Sequence, residues 1–344
     1  MSEQTDKTDP VFSFVVPVYN EQEVLGEFWP RLRSAADALG EPYEVVFVED
    51  GSSDNSPEIL GRLAAEDPRV RVVQLSRNHG HQLAITAGYD HAAGRAVISL
   101  DGDCQHPPEL IADLVARWRE GFEVVYTIRE DTEGISPLRR AVGRLTYRFI
   151  RFAAGADLDG QADFRLLDRK ALDALRRHRE HHRFLRGLVR QIGFRQAAVR
   201  YTAEKRAAGA SGYTLKQLAA MSTAGVFNFS VLPLRVAPVL GGVFLAGTLA
   251  FFLLSLVLWP FGLAASGWVH AVMIVLGLFG VQFILLGLLG EYVGRVFEEA
   301  KGRPLYLVRE RVGFPEPAEE LPAEPEPEEP EQEPRDQDRY VLYT

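Results

Sequence analysis

A stretch of 55 residues without a single Asp, Glu, Lys or Arg, from Val236 to Gly290, constrains this chain more than any other feature. As one helix it would run roughly 80 Å, well beyond a hydrocarbon core of about 30 Å. The sequence PFGLAASG at 260–267 predicts a turn that leaves two segments, 236–259 and 268–290. Each is long enough to cross a bilayer, so two transmembrane helices are expected. The alternative is a hairpin buried in a soluble core, where helices seldom run this long without polar residues.

The residues around these two segments predict their orientation. Trp259 and Trp268 border the turn, where interfacial aromatic residues belong. The turn carries no Lys or Arg, whereas basic residues lie outside the segments at Lys216, Arg235, Arg295, Lys301 and Arg303. The positive-inside rule therefore places both chain ends on the cytoplasmic side of an inner or plasma membrane. The polar N-terminus, MSEQTDKTDP, has no signal-peptide pattern, which agrees with that orientation.

Charge is distributed unevenly along the chain. The formal net charge of -9, from 47 acidic and 38 basic residues, argues against a nucleic-acid partner. Residues 315–338 hold eleven of the acids and a single Arg, so the remainder is close to neutral. We expect disorder in this Pro- and Glu-rich tail, 315–344, and in the polar residues 1–10. The single cysteine, Cys104, excludes a disulfide framework and a Cys-based zinc site.

Residues 11–130 alternate short apolar runs with helical patterns. Strands are predicted at 11–18, 44–48, 70–75, 96–100 and 123–126, and helices at 21–39, 56–66, 81–93 and 107–119. This alternation predicts an α/β fold with a mostly parallel sheet covered on both faces. Such sheets bind ligands at the carboxyl ends of their strands. Ahead of the first apolar segment, Thr214–Leu232 has the pattern of an amphipathic helix lying on a membrane surface.

Polar clusters follow three of the predicted strands, at 17–21, 49–54 and 101–109. At one edge of a sheet they would form a cleft of nucleotide size. Asp50, after the second strand, is placed to accept hydrogen bonds from a ribose or base edge, or to form an Asx-turn with Gly51. The residues alone do not decide between these two interpretations.

Asp101 and Asp103 flank Gly102 after the fourth predicted strand. On an extended segment, residues i and i+2 point the same way, so the two carboxylates could hold one hard divalent cation that bridges a diphosphate. The amide oxygen of Gln105 is a candidate third ligand. The alternative is a solvated acidic turn ahead of the helix that begins at Pro107. The position at the end of an apolar strand favours the metal interpretation.

Seven segments carry a resemblance to a known family. They are VVPVYNE (15–21), VEDGSSD (48–54), LSRNHGHQLAITAGYDHA (75–92), DGDCQHPPE (101–109), ADFRLLDR (162–169), KRAAGASGYTLKQL (205–218) and GEYVGRVFEEAKGRP (290–304). In this order the chain resembles the GT-A glycosyltransferases of family 2. It is most similar to the polyprenyl-phosphate type, dolichol-phosphate mannose synthase and the bactoprenol-phosphate glucosyltransferases. The resemblance implies a GT-A catalytic domain over 11–213, a juxtamembrane helix over 214–235 and a cytoplasmic segment over 291–314.

The resemblance implies a role for each matching residue. The nucleotide-sugar would be bound by Pro17, Tyr19, Glu21, Val48, Asp50, Asp101, Gly102, Asp103, Arg129 and Arg206. Mg²⁺ or Mn²⁺ would be held by Asp101, Asp103 and Gln105. The lipid phosphate would be bound by Arg139, Arg140, Arg165 and Ser211. The catalytic residues would be Asp101, Asp103, Asp163 and Arg165. Of these, Asp163 and Arg165 would lie on the acceptor side, where Asp163 would orient Arg165 or the sugar. The family's usual Lys after Ser is Gly212 here, so that phosphate contact is lost or supplied by Lys205 or Lys216.

The implied reaction moves a sugar from a UDP- or GDP-linked donor to undecaprenyl or dolichyl phosphate, with inversion. A lipid phosphate is already an anion near neutral pH, so it needs little help from a general base. The harder task is to stabilise the departing nucleoside diphosphate, which a metal and arginines do electrostatically. The partners are then a nucleotide-sugar, a polyprenyl phosphate and membrane lipid, and a homo-oligomer is left open.

Two other functions fit part of the sequence. A processive polysaccharide synthase of the same fold would need a Q-x-x-R-W segment after the acceptor-side acid and more membrane spans, and neither is present. A non-catalytic membrane scaffold that keeps a nucleotide-binding domain would not need Asp101, Asp103 and Arg206. The sequence therefore favours the enzyme.

Overall fold

The computed structural model describes residues 10–103, 106–130, 161–181, 183–202, 232–258, 260 and 267–314. The predictions made for the N-terminal residues, the juxtamembrane helix before residue 232 and the acidic tail fall outside these ranges, and the division into domains remains a prediction.

Within these ranges, eight strands form one sheet in the order β7-β5-β6-β4-β1-β2-β3-β8. The strands are β1 (Phe12–Val18), β2 (Tyr43–Glu49), β3 (Val70–Leu75), β4 (Ala96–Ser99), β5 (Val124–Glu130), β6 (Gln161–Asp168), β7 (Gln196–Thr202) and β8 (Val308–Val312). The helices are α1 (Leu25–Asp37), α2 (Ser56–Glu66), α3 (His81–His91), α4 (Ile111–Arg119), α5 (Arg169–Arg176), α6 (Leu185–Gln191), α7 (Leu232–Leu258) and α8 (Gly267–Ala300).

The α/β class is confirmed, and four of the seven strand pairs are parallel, while three antiparallel pairs make the sheet mixed. The centre is parallel, with β1 between β2 and β4, and β3 beside β2. Strand β6 then runs antiparallel between β4 and β5, and β8 adds an antiparallel edge to β3. The sequence patterns of 11–130 describe the parallel centre well because there each strand is an apolar run followed by a helix. Neither β6 nor β8 belongs to that alternation.

The core is built by the central strands and the helices that cover them. Every residue of β2 and β4 is buried, as expected for strands covered on both faces. Aromatic side chains fill much of one face, and those that are fully buried are Phe12, Phe14, Phe28, Phe47 and Phe164. A rigid centre of this kind fixes the positions of the loops at its carboxyl edge.

Helix α3 approaches the sheet closely at Gly88, and this contact makes a stability prediction. A Cβ atom at Gly88 would lie 2.2 Å from Cγ1 of the fully buried Val15 and 3.1 Å from Cγ2 of Val48. Overpacking a core costs about 1–3 kcal/mol, whereas the better helix propensity of Ala returns at most about 1 kcal/mol. We therefore expect Gly88→Ala to lower the melting temperature.

Gly61 in α2 provides the matched control for that substitution. No atom lies within 4 Å of a Cβ built at Gly61, so Gly61→Ala gains propensity without a clash. We expect Gly61→Ala to keep or raise the melting temperature. Equal melting temperatures for Gly88→Ala and Gly61→Ala would contradict the close packing of α3.

Helices α7 and α8 cover most of the uncharged stretch. Within the described residues, one helical segment, Gly277–Ala300, is long and apolar enough to cross a membrane, and none of its most apolar part is buried. A second apolar segment, Gly241–Val257, is shorter than the roughly 20 residues that a span needs. The alternative of a hairpin buried in a soluble core does not fit α8, because this apolar segment is exposed. The pair of spans expected from the sequence is thus not confirmed.

Candidate active site

Three loops meet at the carboxyl edge of the parallel strands, as the sequence predicts. The loop after β1 is fastened to the loop after β2: Ser53 N donates to Asn20 Oδ1 at 2.8 Å, and Glu21 N donates to Ser56 Oγ at 3.0 Å. Asn20 adopts the left-handed conformation, with φ 55°, which Asn tolerates better than most residues. Hydrogen bonds within the protein therefore hold this rim in place.

The side chains expected to line a nucleotide pocket differ in accessibility. Tyr19 is 48% exposed, and Pro17 and Glu21 are partly buried. Val48 is fully buried and faces Gly88 of α3. A ligand in this cleft would meet the side chain of Tyr19, whereas it would meet Val48 only through the main chain.

Asp50 is buried, and its carboxylate accepts hydrogen bonds from the loop that follows β3. Its Oδ1 accepts from His79 N at 2.7 Å and its Oδ2 accepts from Gly80 N at 2.9 Å. Burial raises the pKa of Asp50 above its ordinary value, against the opposing effect of these two amides. A Cβ at Gly51 would lie 2.5 Å from the backbone of residues 77–78, so glycine is needed there. Asp50 thus anchors the start of α3, and its contact with a nucleotide remains a prediction.

Asp101 lies just past the end of β4, but the segment is not extended as the sequence interpretation assumed. Gly102 and Asp103 form a turn, so the alternation of a strand does not set the directions of the two carboxylates. The backbone N–H of Asp101 donates to His106 Nδ1 at 3.1 Å. Asp101 Oδ1 is buried and 3.5 Å from His81 Nε2, and it accepts no hydrogen bond among the described residues.

Asp101 Oδ1 is the atom that fits a divalent cation, because it is buried, accepts no hydrogen bond within the described residues and has the His81 imidazole only at 3.5 Å, so a cation would complete the compensation of its charge. Asp103 lies two residues further on and is partly buried. Gln105, the candidate third ligand, lies outside the described residues. Within the described ranges, no group of three His, Cys, Asp or Glu side chains is arranged to hold a metal.

Asp163 on β6 lies at the centre of a buried ionic cluster. Its Oδ1 pairs with Arg165 Nη2 and lies 3.2 Å from Arg186 Nε, and its Oδ2 lies 2.9 Å from Arg186 Nη2. Gln82 Nε2 and His81 Nε2 each lie 3.5 Å from Oδ2. The side chain of Asp163 is only 7% exposed and that of Arg165 only 3%. Both carboxylate oxygens are therefore already engaged by cationic or polar donors.

The electrostatics of the cluster follow from these contacts. Burial would raise the pKa of Asp163, but Arg186, His81 and Arg165 together hold it well below its ordinary value. Burial would lower the pKa of His81, but the carboxylates of Asp163 and Asp101 raise it above its ordinary value. His81 thus lies between two carboxylates, at 3.5 Å from each. Asp163 is suited to orient arginines and is poorly suited to accept a proton.

The sequence interpretation missed three members of this cluster, namely His81, Gln82 and Arg186. His81 and Gln82 open α3 directly after the loop that follows β3, so their place at the carboxyl edge of the sheet was available as a signal. Arg186 belongs to an Arg-rich stretch with no motif that singles it out. Of the predicted phosphate-binding residues, Arg129 is the next-to-last residue of β5. Arg139, Arg140, Arg206 and Ser211 lie outside the described residues.

Residues 13–176 match the family model described as glycosyl transferase family 2. The uncharacterized glycosyltransferase YkcC of Bacillus subtilis (strain 168) is 42% identical over 306 residues, which cover 88% of this chain and 94% of that protein. The bactoprenol glucosyl transferase of Shigella phage SfX is 33% identical over 304 residues, 87% of this chain and 99% of that protein. A prophage bactoprenol glucosyl transferase homolog of Escherichia coli (strain K12) is 32% identical over 303 residues, 86% of this chain and 98% of that protein.

These similarities extend over the sheet, the candidate site and the apolar helices alike. Together with the residues at the carboxyl edge of the sheet, they establish the family that the sequence motifs suggested. The chain belongs to glycosyl transferase family 2, and it is a glycosyltransferase.

Proposed function

We propose that this enzyme transfers a sugar from a nucleotide-sugar to a polyprenyl phosphate, at the cytoplasmic face of a membrane and with inversion at the anomeric carbon. The donor would be UDP- or GDP-linked, and the acceptor undecaprenyl or dolichyl phosphate. One observation carries the proposal. Asp163, the acid assigned to the acceptor side, is buried and paired with two arginines that hold its pKa below the ordinary value.

When the acceptor of an inverting glycosyltransferase attacks through a hydroxyl group, the enzyme needs a base, such as a carboxylate, to take the hydroxyl proton. Asp163 is badly placed for that task, because two arginines occupy its oxygens and hold its pKa well below the ordinary value. An acceptor that is already an anion needs no such base. Two cationic side chains, Arg165 and Arg186, lie beside Asp163. They favour binding of a phosphate monoester, for which arginine is well suited.

The departing nucleoside diphosphate poses the larger electrostatic problem. Asp101 and Asp103, with Gln105, would hold Mg²⁺ or Mn²⁺, which would neutralise charge developing on the diphosphate. The buried Oδ1 of Asp101, which accepts no hydrogen bond within the described residues, supports this assignment. Arg129 and Arg206 would add cationic side chains on the donor side, and Arg139, Arg140, Arg165 and Ser211 would bind the lipid phosphate. Tyr19 would stack against or border the nucleotide from the open rim of the cleft.

The names of the relatives and the apolar helices agree with a lipid acceptor. Several relatives that the chain matches over nearly their whole length are named bactoprenol glucosyl transferases, as in Shigella flexneri and the Shigella phages SfX and SfII. We propose that α7 and α8 both cross the membrane and that both chain ends are cytoplasmic. A prenyl chain in the bilayer would then bring its phosphate to the interface beside the catalytic domain.

The proposal is tested with membranes from cells that overproduce the protein. They are incubated with undecaprenyl phosphate and a panel of labelled UDP- and GDP-sugars, and the lipid is then extracted. We expect one sugar to label a lipid phosphodiester, with opposite anomeric configuration to the donor. The absence of labelled lipid for every donor, while the protein still binds nucleotide, would favour a non-catalytic role.

A further inference from the structure

The chain returns from helix α8 to the catalytic sheet over a short distance. Helix α8 ends at Ala300, and after seven intervening residues Val308 begins β8, the edge strand paired with β3. Gly302 terminates the helix in the left-handed conformation, with φ 58°, and its N–H donates to Glu299 O at 3.1 Å. We call residues 301–312 the return segment. It makes α8 and the catalytic sheet parts of one continuous structure.

A clamp of three side chains fixes the middle of the return segment. Tyr306 Oη donates to Asp90 Oδ2 at 2.8 Å, and Arg179 Nη1 lies 3.0 and 2.8 Å from the two oxygens of Asp90. Leu305 beside it is buried. Burial and the nearby Asp90 carboxylate raise the pKa of the Tyr306 hydroxyl, so it stays a protonated donor. At the helix end, Glu299 Oε1 accepts from His181 N at 2.7 Å.

The clamp is joined to the candidate active site by two elements. Helix α3 carries Asp90 near its end and His81 at its start, about 14 Å apart along the helix axis. The segment that carries Arg179 and His181 continues to Arg186, which pairs with Asp163. Helix α3 is packed on the sheet, and the second segment is tied to it by the ion pair between Arg186 and Asp163 of β6, so the position of the clamp sets the position of the site relative to α8.

We propose that Asp90 and Tyr306 are positioning residues, which hold the active-site edge at a fixed height and tilt relative to α8 so that a membrane-bound acceptor reaches it. This inference rests on the proposed transfer to a polyprenyl phosphate. A nucleotide-sugar arrives from water and can reach the cleft in any orientation of the domain. The phosphate of a prenyl lipid is confined to the membrane interface, so its access depends on where the domain is held.

The test compares two acceptors in the same variants, Tyr306→Phe and Asp90→Ala, in the full-length protein in vesicles. One acceptor is undecaprenyl phosphate in the bilayer, and the other is a short, water-soluble prenyl phosphate. We expect kcat/KM for the bilayer acceptor to fall about tenfold, the effect of losing one hydrogen bond to a charged group. We expect the value for the soluble acceptor to change by less than about twofold, because the site itself is intact.

A second Tyr–Asp–Arg trio supplies the matched control. Tyr43 Oη donates to Asp37 Oδ1 at 2.7 Å, and Arg69 Nη1 donates to the same oxygen at 2.8 Å, at the amino ends of β2 and β3, which is the edge of the sheet opposite the active-site loops. Tyr43→Phe removes the same kind of hydrogen bond, and we expect the ratio of the two acceptor activities to stay unchanged.

The outcomes separate the clamp from the proposed function. Equal losses for both acceptors in Tyr306→Phe and Asp90→Ala would mean that these residues have a general structural role. Unchanged transfer to the bilayer acceptor would mean that they have no role in transfer. Either result overturns the inference. A wild-type protein that transfers sugar to neither acceptor would instead refute the proposed function itself.

Discussion

Asp101→Asn is expected to reduce sugar transfer roughly a thousandfold while leaving the fold intact, since a group that stabilises developing charge contributes several kcal/mol to the barrier. The Oδ1 atom of Asp101 is buried and accepts no hydrogen bond within the described residues, and the imidazoles of His81 and His106 lie 3.5 and 3.4 Å from the carboxylate, so the substitution breaks no short ion pair there. The substitution keeps the shape of the side chain and removes the negative charge that a divalent cation needs. The measurement is the rate of transfer across a titration of Mg²⁺ or Mn²⁺.

Asp113→Asn is the matched control for Asp101→Asn, because Asp113 is an exposed aspartate in the first turn of α4 with no part in the proposed site. We expect it to keep full activity and an unchanged metal requirement. If Asp101→Asn retained wild-type transfer and the same dependence on metal, Asp101 could not be a ligand. The same treatment of Asp103→Ala, expected to abolish EDTA-sensitive transfer, tests the second carboxylate.

Asp163→Asn is expected to lower both stability and activity. The substitution leaves the guanidinium groups of Arg165 and Arg186 without their carboxylate, and Arg165 is almost completely buried. Removing one partner of a buried ion pair costs about 3–5 kcal/mol, so the melting temperature should fall by several degrees. Arginines released from their positions should reduce transfer about a hundredfold. Thermal unfolding and transfer rates measured on the same preparation check both effects.

The surface of the same domain provides the control for Asp163→Asn. Asp173 also lies between two arginines, 3.9 Å from Arg169 Nη1 and 3.2 Å from Arg176 Nη1, but it is half exposed. Exposed ion pairs contribute little, so Asp173→Asn should leave stability and transfer nearly unchanged. A similar small effect at Asp163 would show that the buried cluster does not organise the site.

Local patterns predict the parallel centre and the loops that carry Asp50 and Asp101, because each strand and its following helix are encoded by neighbouring residues. The place of β6 between β4 and β5 has no such local signal, since strand pairing joins segments far apart in sequence. For the same reason, sequence reasoning found Asp163 but not Arg186, which lies 23 residues further along the chain. The turn at Gly102 matches the alternative that the sequence left open, whereas the favoured interpretation assumed an extended segment from Asp101 to Asp103 beyond the end of β4 at Ser99.

Asp50 illustrates a different limit of sequence reasoning. Its position after β2 is readable, but its partners, the amides of His79 and Gly80, come from a loop 29 and 30 residues away. The return segment is comparable, because no pattern in residues 301–312 indicates that they pair with β3. In both cases the missing information is tertiary packing, which composition and periodicity do not contain.

Transfer to undecaprenyl phosphate, compared with transfer to undecaprenol, tests the central claim most directly. The two acceptors share a prenyl chain and differ only in the phosphate, whose charge replaces the need for a base at Asp163. Purified protein in vesicles, supplied with the preferred labelled donor and metal, should label undecaprenyl phosphate and leave undecaprenol unlabelled. Labelled undecaprenol at a comparable rate would contradict an enzyme whose acceptor must already be an anion.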